Sequence, residues 1–309
     1  MNPKIAVFSG GISPEREVSL VSGENVFKAL SEKFDAVSVR LDENALPPGL
    51  DPDEYVIFPA MHGDYGEDGT LQGQLDAAGF EYAGCGSLSS RACMVKPAAK
   101  ALLKFAGLPV ARSVEFQAGC KPSAGALGAL FPNGCVIKPA DKGSSVGLSV
   151  ARDSDGAEKA LSGIESGSWM AEELVKGREF SIGVICGRAA GVVEIIPDGG
   201  VYDYKRKYTA GSTRYVYPAE IPPHAASAMR AAAESAFRAC GCRDFARVDF
   251  IAADIGKPDF VILEINTLPG MTPTSLLPKS ASCEGYSFES LCEKLVGEAV
   301  KRFSIRAKR

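Results

Sequence analysis

Two neighbouring apolar segments in the last third of the chain constrain its fold most, because each carries oxygen-bearing side chains within a strand pattern. Residues 245–250 (FARVDF) and 261–266 (VILEIN) have the aromatic and β-branched content of buried strands. The residues between them, 252–259, include a glycine and a proline and are typical of a hairpin turn. The pattern therefore predicts an antiparallel pair of strands.

The predicted hairpin gathers acidic and amide oxygens on one face. Side chains two residues apart on a strand share a face, so Glu264 and Asn266 lie together, and Asp249 faces them with Arg247 beside it. Such oxygens suit Mg²⁺, which takes one or two carboxylates together with substrate phosphates. The alternative is a satisfied polar pair at a strand end. Metal binding is favoured, because burying carboxylates without a cation or donor is costly.

Length and composition are ordinary for a soluble enzyme of several domains. At 309 residues the chain exceeds the usual size of one domain, so two or three domains that share clefts are expected. The formal net charge of -4 gives no electrostatic footprint for nucleic acid. The nine cysteines show no CxxC pair or zinc spacing, which favours reduced thiols. No apolar run is as long as a membrane span, and the first residues resemble a strand more than a signal segment, so a cytoplasmic location is expected.

The order of elements predicts a parallel α/β unit followed by antiparallel regions. A strand at 4–9 leads through a Gly-Gly turn to a helix start, where Ser13 supplies the capping hydroxyl and Pro14 the first helical position. With two further strands, this first unit is expected to form a parallel sheet with crossover helices to about residue 86. The other predicted elements are strands at 37–40, 55–60, 135–139, 146–151, 169–175 and 179–186, helical stretches within 88–108, and helices at 223–240 and 288–303.

A glycine- and serine-rich turn, residues 140–147 (ADKGSSVG), follows the predicted strand that carries Lys138. Its backbone N–H groups can cradle phosphate, with the lysine as a point charge. The turn matches neither a Walker loop nor GxGxxG, and taken alone such a segment is more often only a turn. Lys96, at a helix start, offers a second cation, although by itself it is typical of a surface residue.

Two further segments are weak signals in isolation. His62 follows the strand at 55–60, at the edge where open α/β sheets bind ligands, but a lone histidine is more often structural. The acidic strand end at Glu172, with the connector that follows it, has the shape of an adenine and ribose site. On these residues alone, a solvated strand end is the better interpretation.

Taken together and in this order, the segments resemble the D-alanine:D-alanine ligases of the ATP-grasp superfamily over nearly the whole chain. The resemblance implies an N-terminal parallel α/β domain (1–94) and two α+β domains (95–173 and 174–309) that clasp ATP. Val95 departs from the family pattern, which commonly has Asp before the nucleotide lysine. The matching segments are SGGISPEREVSLVSG (9–23), HGDYGEDGTLQGQL (62–75), VIKPADKGSSVGLS (136–149), YDYKRKY (202–208), RVDF (247–250) and LEINTLPGMTPTSL (263–276).

The resemblance also implies how ATP and metal are bound. The nucleotide residues it implies are Lys96, Lys138 and Lys207 on the phosphates, Glu179 on the ribose, and Glu172 with the Val175 backbone near adenine. Mg²⁺, with Mn²⁺ as an alternative, falls on Asp249, Glu264 and Asn266. The γ-phosphoryl group of ATP is then expected to activate the carboxylate of one D-alanine as an acyl phosphate.

The implied substrate residues come from all parts of the chain. The expected roles are Glu15 on the ammonium of the first D-alanine with His62 nearby, Ser275 and Leu276 on the carboxylate of the second, Arg247 and the Gly270 N–H on the oxyanion, and Ser144 and Tyr208 in a contact with Glu15 that closes the site. Residues 202–213 would form a lid. The family often forms dimers through its N-terminal region, so a homodimer is expected.

Three alternatives remain at this point. A related ligase would make a D-alanyl-D-lactate or D-alanyl-D-serine product, although Tyr208 after Lys207 resembles the dipeptide-forming type. Another ATP-grasp carboxylate–amine ligase would not need Glu15 or the Ser275–Leu276 pair. A regulatory module that had lost turnover would not need Arg247 and the complete metal set.

Overall fold

A computed structural model of the chain describes residues 3–144, 146–197, 213–257 and 259–308. Three sheets organise these residues, one parallel and two antiparallel. Lys207, Tyr208 and the predicted lid up to residue 212 lie outside the described residues. Among the helices that the structure describes, none is long and apolar enough to cross a membrane.

The first sheet is parallel, as predicted, with strand order β2-β1-β3-β4. Its interior strands carry the unbroken apolar runs of a sheet covered on both faces, such as residues 5–8. The elements are β1 (Lys4–Gly10), α1 (Arg16–Ser31), β2 (Ala36–Leu41), β3 (Tyr55–Pro59), α2 (Asp64–Glu67), α3 (Thr70–Ala77), β4 (Glu81–Tyr82) and α4 (Ser87–Met94).

Helix α1 begins later than the sequence predicts. Its first residue is Arg16 instead of Pro14, and Glu15 occupies the N-cap position without a side-chain capping bond. The Ser13 hydroxyl still accepts the Glu15 amide at 3.2 Å, but it also donates to the His62 carbonyl at 2.9 Å. Ser13 therefore ties the turn after β1 to the end of β3, and this holds Glu15 near that edge of the sheet.

The second sheet is antiparallel, with strand order β5-β8-β6-β7. All its strands lie within 95–173, the range predicted for the central domain, although the domain boundaries themselves stay a prediction. Strand β7 begins at Ser149, three residues after the predicted start. The elements are α5 (Lys96–Phe105), β5 (Ser113–Gln117), α6 (Ala124–Leu130), β6 (Cys135–Pro139), β7 (Ser149–Ala151), α7 (Ser154–Ser162) and β8 (Ser168–Glu173).

The third sheet is also antiparallel, in the order β11-β10-β9-β12-β13, and it contains the predicted hairpin. The turn is shorter than predicted, because β12 continues to Asp254 and β13 begins at Asp259. The elements are β9 (Arg178–Ile185), β10 (Arg188–Pro197), β11 (Thr213–Val216), α8 (Pro223–Ala239), β12 (Phe245–Asp254), β13 (Asp259–Asn266), α9 (Leu276–Ser282) and α10 (Phe288–Arg306).

The last helix joins the third sheet to the first. Leu295 and other buried residues of α10 belong to one core with Phe58 of β3 and Phe245 of β12, whose rings stack 6.2 Å apart. Arg302 of α10 donates to both oxygens of Asp244 at 2.8 Å. This ion pair joins α10 to the residue that precedes β12. The parallel sheet and the hairpin therefore share one packed core and have a fixed relation to each other.

Candidate active site

A cavity of about 890 Å³ opens where the three parts of the chain meet. Its described lining includes the turn before α1, the end of β3, the start of α5, the Gly/Ser turn and the end of the hairpin. The predicted site residues that line it are Glu15, His62, Lys96, Ser144, Arg247, Glu264, Asn266, Gly270, Ser275 and Leu276.

The hairpin register places four polar side chains on one face. Arg247 pairs with Asn266 and Asp249 with Glu264, directly across β12 and β13. The register shifts immediately after Asp249, so the face that carries these side chains ends there. Alternate positions on two paired strands thus lie together on one face, as the alternation of the sequence predicts.

Asp249 is held by donors on both sides. Arg247 donates to its Oδ1 at 2.9 Å and to its Oδ2 at 2.7 Å, and the Ser181 hydroxyl of β9 donates to Oδ1 at 2.6 Å. Arg247 and Asp249 are both buried. Arg247 Nη2 also lies 4.0 Å from Glu264 Oε1, so one guanidinium serves both carboxylates. A guanidinium held in this way keeps a fixed direction toward the cavity that it lines.

The predicted metal ligands Asp249, Glu264 and Asn266 have oxygen donors that suit a hard cation. Two of these ligands are carboxylates and the third is an amide. In the part of the chain that the structure describes, no group of three or more His, Cys, Asp or Glu side chains could hold a metal. The third predicted ligand is Asn266, whose Oδ1 accepts the Leu268 amide at 2.9 Å. Two carboxylates and an amide oxygen fit Mg²⁺ that keeps phosphate and water as further ligands.

Glu172 lies between two lysines on the second sheet. Lys138 of β6 bonds to its Oε1, and Lys100 of α5 donates to its Oε2 at 2.8 Å. All three side chains are buried. Burial opposes ionisation of the carboxyl, but the two ammonium groups outweigh it, so the pKa of Glu172 is lowered. The sequence analysis missed Lys100, whose only signal was its position one helical turn after Lys96.

Lys96 connects the start of α5 to the Gly/Ser turn. Its backbone amide donates to the Ala140 carbonyl at 2.8 Å, and its ammonium bonds to the Lys142 carbonyl. Burial lowers the pKa of Lys96, an effect that the negative charge of Glu264 partly offsets. Val175 follows in the connector between β8 and β9, and Glu179 is the second residue of β9. Lys138, Glu172, Val175, Glu179 and Asp249 are not among the described residues that line the cavity.

The Gly/Ser turn contacts the first unit directly. The Ser144 hydroxyl bonds to the Glu15 carboxylate, and Lys142 Nζ lies 2.6 Å from Asp64 Oδ2. Ser144 has a φ of 52°, a left-handed conformation that is rare outside glycine. The turn therefore holds a strained backbone where its side chain reaches Glu15.

His62 is both a wall of the cavity and part of a buried polar network. Its Nε2 lies 3.0 Å from the Ser22 hydroxyl of α1, and its Nδ1 lies 3.5 Å from Glu67 Oε1. Burial raises the pKa of Glu67, while its contact with His62 opposes this effect. The Ser22 hydroxyl also accepts the Met271 amide at 3.3 Å. His62 thus links α1 to the segment that follows the hairpin.

The segment after the hairpin folds back on itself. The Ser275 hydroxyl accepts the Thr272 amide at 2.9 Å. A Cβ atom at position 270 would lie 2.8 Å from that hydroxyl, so a larger residue there would displace it. Ser275 is the N-cap residue of α9, and Leu276 is its first residue. One turn later, Lys279 also lines the cavity, a position that the sequence analysis did not select.

Family models and curated proteins show which known proteins this chain is similar to. The protein-family model described as the D-ala D-ala ligase C-terminus matches residues 102–297. The family model described as the D-ala D-ala ligase N-terminus matches residues 42–85. A D-alanine–D-alanine ligase from Anaeromyxobacter sp. (strain K) is 42% identical over 305 residues, which covers 96% of this chain and 97% of that protein. The D-alanine–D-alanine ligase of Acidiphilium cryptum (strain JF-5) is 42% identical over 308 residues, covering 97% and 99%.

Solved structures show the same similarity. The D-alanine–D-alanine ligase from Bacillus anthracis complexed with ATP superposes with a TM-score of 0.84 at 29% identity and covers 99% of both chains. The VanG D-Ala:D-Ser ligase from Enterococcus faecalis has a TM-score of 0.83 at 30% identity and covers 97% of this chain and 100% of its own. These neighbours have the ATP-grasp fold that the sequence resemblance implied.

Proposed function

The chain belongs to the D-alanine–D-alanine ligase family, and on that premise we propose that it joins two molecules of D-alanine at the expense of ATP. The products are D-alanyl-D-alanine, ADP and phosphate, and the dipeptide is a precursor of peptidoglycan. The observation that carries the proposal is the cavity itself, whose lining combines Glu15, Lys96 and the hairpin carboxylate Glu264.

The first step activates a carboxylate. A carboxylate is a poor electrophile at neutral pH, so the γ-phosphoryl group of ATP moves onto the first D-alanine, giving an acyl phosphate and ADP. Lys96 and Lys138 neutralise phosphate charge, with Lys207 from the segment outside the described residues. Glu172 and the Val175 backbone hold adenine, and Glu179 holds the ribose. Glu15 binds the ammonium of the first D-alanine, with His62 nearby.

The second step forms the peptide bond. The amine of the second D-alanine attacks the acyl carbon and loses a proton, and the bond to phosphate breaks. Arg247 and the Gly270 N–H stabilise the oxyanion, an effect of about 3 to 4 kcal/mol where one such donor has been removed from other enzymes. Ser275 and Leu276 hold the carboxylate of the second D-alanine. Water is excluded, because it would hydrolyse the acyl phosphate.

Asp249, Glu264 and Asn266 would hold Mg²⁺, with Mn²⁺ as a substitute. When bound, the ion supplies positive charge to the phosphate oxygens during transfer. Arg247 already contacts Asp249, so the ion would share that carboxylate with the guanidinium. Activity that survives removal of divalent cations with EDTA would contradict this assignment.

A second candidate function is a D-alanyl-D-serine ligase. The observation that favours it is the D-Ala:D-Ser ligase among the structural neighbours, whose TM-score is nearly that of the ATP-bound D-alanine–D-alanine ligase. Tyr208 after Lys207 favours the dipeptide of D-alanine.

We also expect a cytoplasmic homodimer that associates through its N-terminal region. Light scattering of the purified protein tests the dimer.

The deciding experiment measures phosphate release from ATP with D-alanine, D-serine or D-lactate as the second substrate. Mass spectrometry of the products identifies the dipeptide or depsipeptide. We expect phosphate release that depends on D-alanine, with D-alanyl-D-alanine as the main product. Phosphate release that is independent of D-alanine would contradict the proposed function.

A further inference from the structure

Lys279 is a buried lysine in the wall of the active-site cavity. It lies on α9, four residues after Ser275, so the two side chains lie on the same face of the helix. Lys279 is only 9% exposed, and both residues line the cavity. The sequence pattern gave no reason to select it, because a lone lysine in a short helix is usually at the surface.

The contacts of Lys279 within the described residues are with uncharged groups. Its ammonium bonds to the Thr274 carbonyl. It also lies 4.7 Å from the ring centroid of Tyr215 and 5.9 Å from that of Tyr217. No carboxylate of the described residues forms a salt bridge with it. Burial lowers the pKa of Lys279 to about 8, because the charged form of the side chain is less favourable there than in water.

A cation held in a buried, apolar setting is costly unless an anion pairs with it. Two aromatic faces and one carbonyl orient the ammonium but leave its charge uncompensated among the described groups. The side chain lines a cavity of about 890 Å³. Ser275, the N-cap residue of the same helix, is the serine to which the substrate carboxylate is assigned. A negatively charged group of a bound ligand would compensate the charge of the Lys279 ammonium.

We propose that the Lys279 ammonium pairs with the carboxylate of the second D-alanine and so selects an amino acid over an amine without a carboxylate. This inference rests on the proposed function. Ser275 and the Leu276 backbone alone offer uncharged donors, whereas a charge-assisted bond is about twice as strong. Lys279 acts on the nucleophile's carboxylate and takes no part in phosphoryl transfer.

The test compares two nucleophiles in one enzyme preparation. D-Alaninamide lacks a carboxylate, so it cannot be activated by ATP and can act only as the nucleophile. With ATP and just enough D-alanine to saturate the first site, mass spectrometry measures D-alanyl-D-alanine against D-alanyl-D-alaninamide. Wild-type enzyme should strongly prefer D-alanine as the nucleophile.

In Lys279→Met, the half-saturating concentration of the second D-alanine should rise by about 10- to 100-fold, the range for losing one charged hydrogen bond. The efficiency with D-alaninamide should stay within about threefold of wild type, so the preference between the nucleophiles collapses. Lys279→Arg should keep most of the preference. Because the preference is a ratio within one preparation, partial unfolding of a variant cancels from it.

Equal losses with both nucleophiles in Lys279→Met would overturn the inference, because Lys279 would then only shape the cavity. A rise in the half-saturating ATP concentration with no change in nucleophile preference would also overturn it and would place the ammonium on phosphate. The proposed function fails separately, if wild-type enzyme makes no D-alanyl-D-alanine at all.

Discussion

The β12–β13 hairpin and the Gly/Ser turn line the same cavity but hold their side chains by different means. On the hairpin, strand register alone brings Arg247, Asp249 and Glu264 together, and their mutual contacts fix them before any substrate arrives. On the turn, Ser144 reaches Glu15 from a strained backbone, across two units of the fold.

We infer from this difference that the hairpin serves the chemical steps and that the turn serves closure of the site. Groups that face developing charge work best when they need no reorganisation, which strands of a packed sheet provide. We expect the turn to open for substrate and to close against water, and such a movement needs contacts that are individually weak. We therefore expect substitutions on the hairpin to reduce turnover much more than substitutions on the turn.

The largest effect is expected for Glu264→Gln. The change removes one negative ligand from the proposed metal site, so phosphate release at saturating Mg²⁺ should fall by roughly 1000-fold, equivalent to about 4 kcal/mol of the several that a bound ion supplies. The side chain of Glu264 is 35% exposed, so the melting temperature should stay close to that of wild type.

Glu284→Gln is the matched control for Glu264→Gln. Glu284 has a similar exposure of 38% and pairs with Arg230 at 3.0 Å, away from the cavity. It should retain full activity. Near-normal phosphate release by Glu264→Gln would remove the metal assignment and the contrast between hairpin and turn.

Arg247→Met tests the same face at the oxyanion. Turnover should fall by about 100- to 1000-fold, as when one oxyanion donor is removed, and ATP affinity should change much less. Asp249 would lose its main partner while buried, so stability should also fall. Turnover and ATP affinity are measured by steady-state kinetics and equilibrium nucleotide binding.

Arg238→Met is the control for Arg247→Met, because Arg238 is exposed on α8 and pairs with Glu234 only at 3.8 Å. If ATP affinity collapses in Arg247→Met while turnover of saturated enzyme is unchanged, Arg247 belongs to the nucleotide site. The hairpin would then position ATP and would not serve the oxyanion.

The sequence predicted the hairpin half of this comparison well, because period-two alternation fixes which side chains share a face. The alternation placed Asp249 across the pair from Glu264 and Asn266, and in the structure Asp249 pairs directly with Glu264. The predicted turn was too long. Lys100 and Lys279 were missed, because their importance depends on which distant segment packs beside them. No local pattern tells that Glu172, 72 residues further on, completes the Lys100 contact.

Lys100→Met probes a site that the sequence did not reveal. Removing one of the two ammonium groups on Glu172 should cost about 1.5 to 3 kcal/mol of stability at pH 7. The lowered pKa of Glu172 means that its stabilising contribution is present above its unfolded pKa and is lost as the pH falls through the folded value. The difference in stability between variant and wild type should therefore narrow in acid.

Urea unfolding at pH 7 and in acid measures this narrowing, with Lys104→Met as the control. Lys104 lies one turn further along α5 and is exposed, so its loss should change stability by less than about 0.5 kcal/mol. The half-saturating ATP concentration should rise only in Lys100→Met, since Glu172 is assigned to adenine. A difference in stability that is constant with pH would show that the Lys100 side chain contributes by packing alone.

The smallest effects are expected on the turn. Ser144→Ala removes the hydroxyl that reaches Glu15 but keeps the side-chain carbon, so the half-saturating concentration of the first D-alanine should rise by roughly tenfold, the equivalent of about 1.4 kcal/mol for one lost hydrogen bond. Ser144→Gly loses the same hydroxyl and also relieves the left-handed backbone at φ 52°. If the hydroxyl matters, both variants should be impaired alike, and if backbone strain matters, they should differ.

Lys142→Met serves as the control, because its exposed pair with Asp64 should contribute at most about 1 kcal/mol. A loss of turnover in Ser144→Ala as large as that expected for Glu264→Gln would break the contrast, since closure of the turn would then control the chemistry.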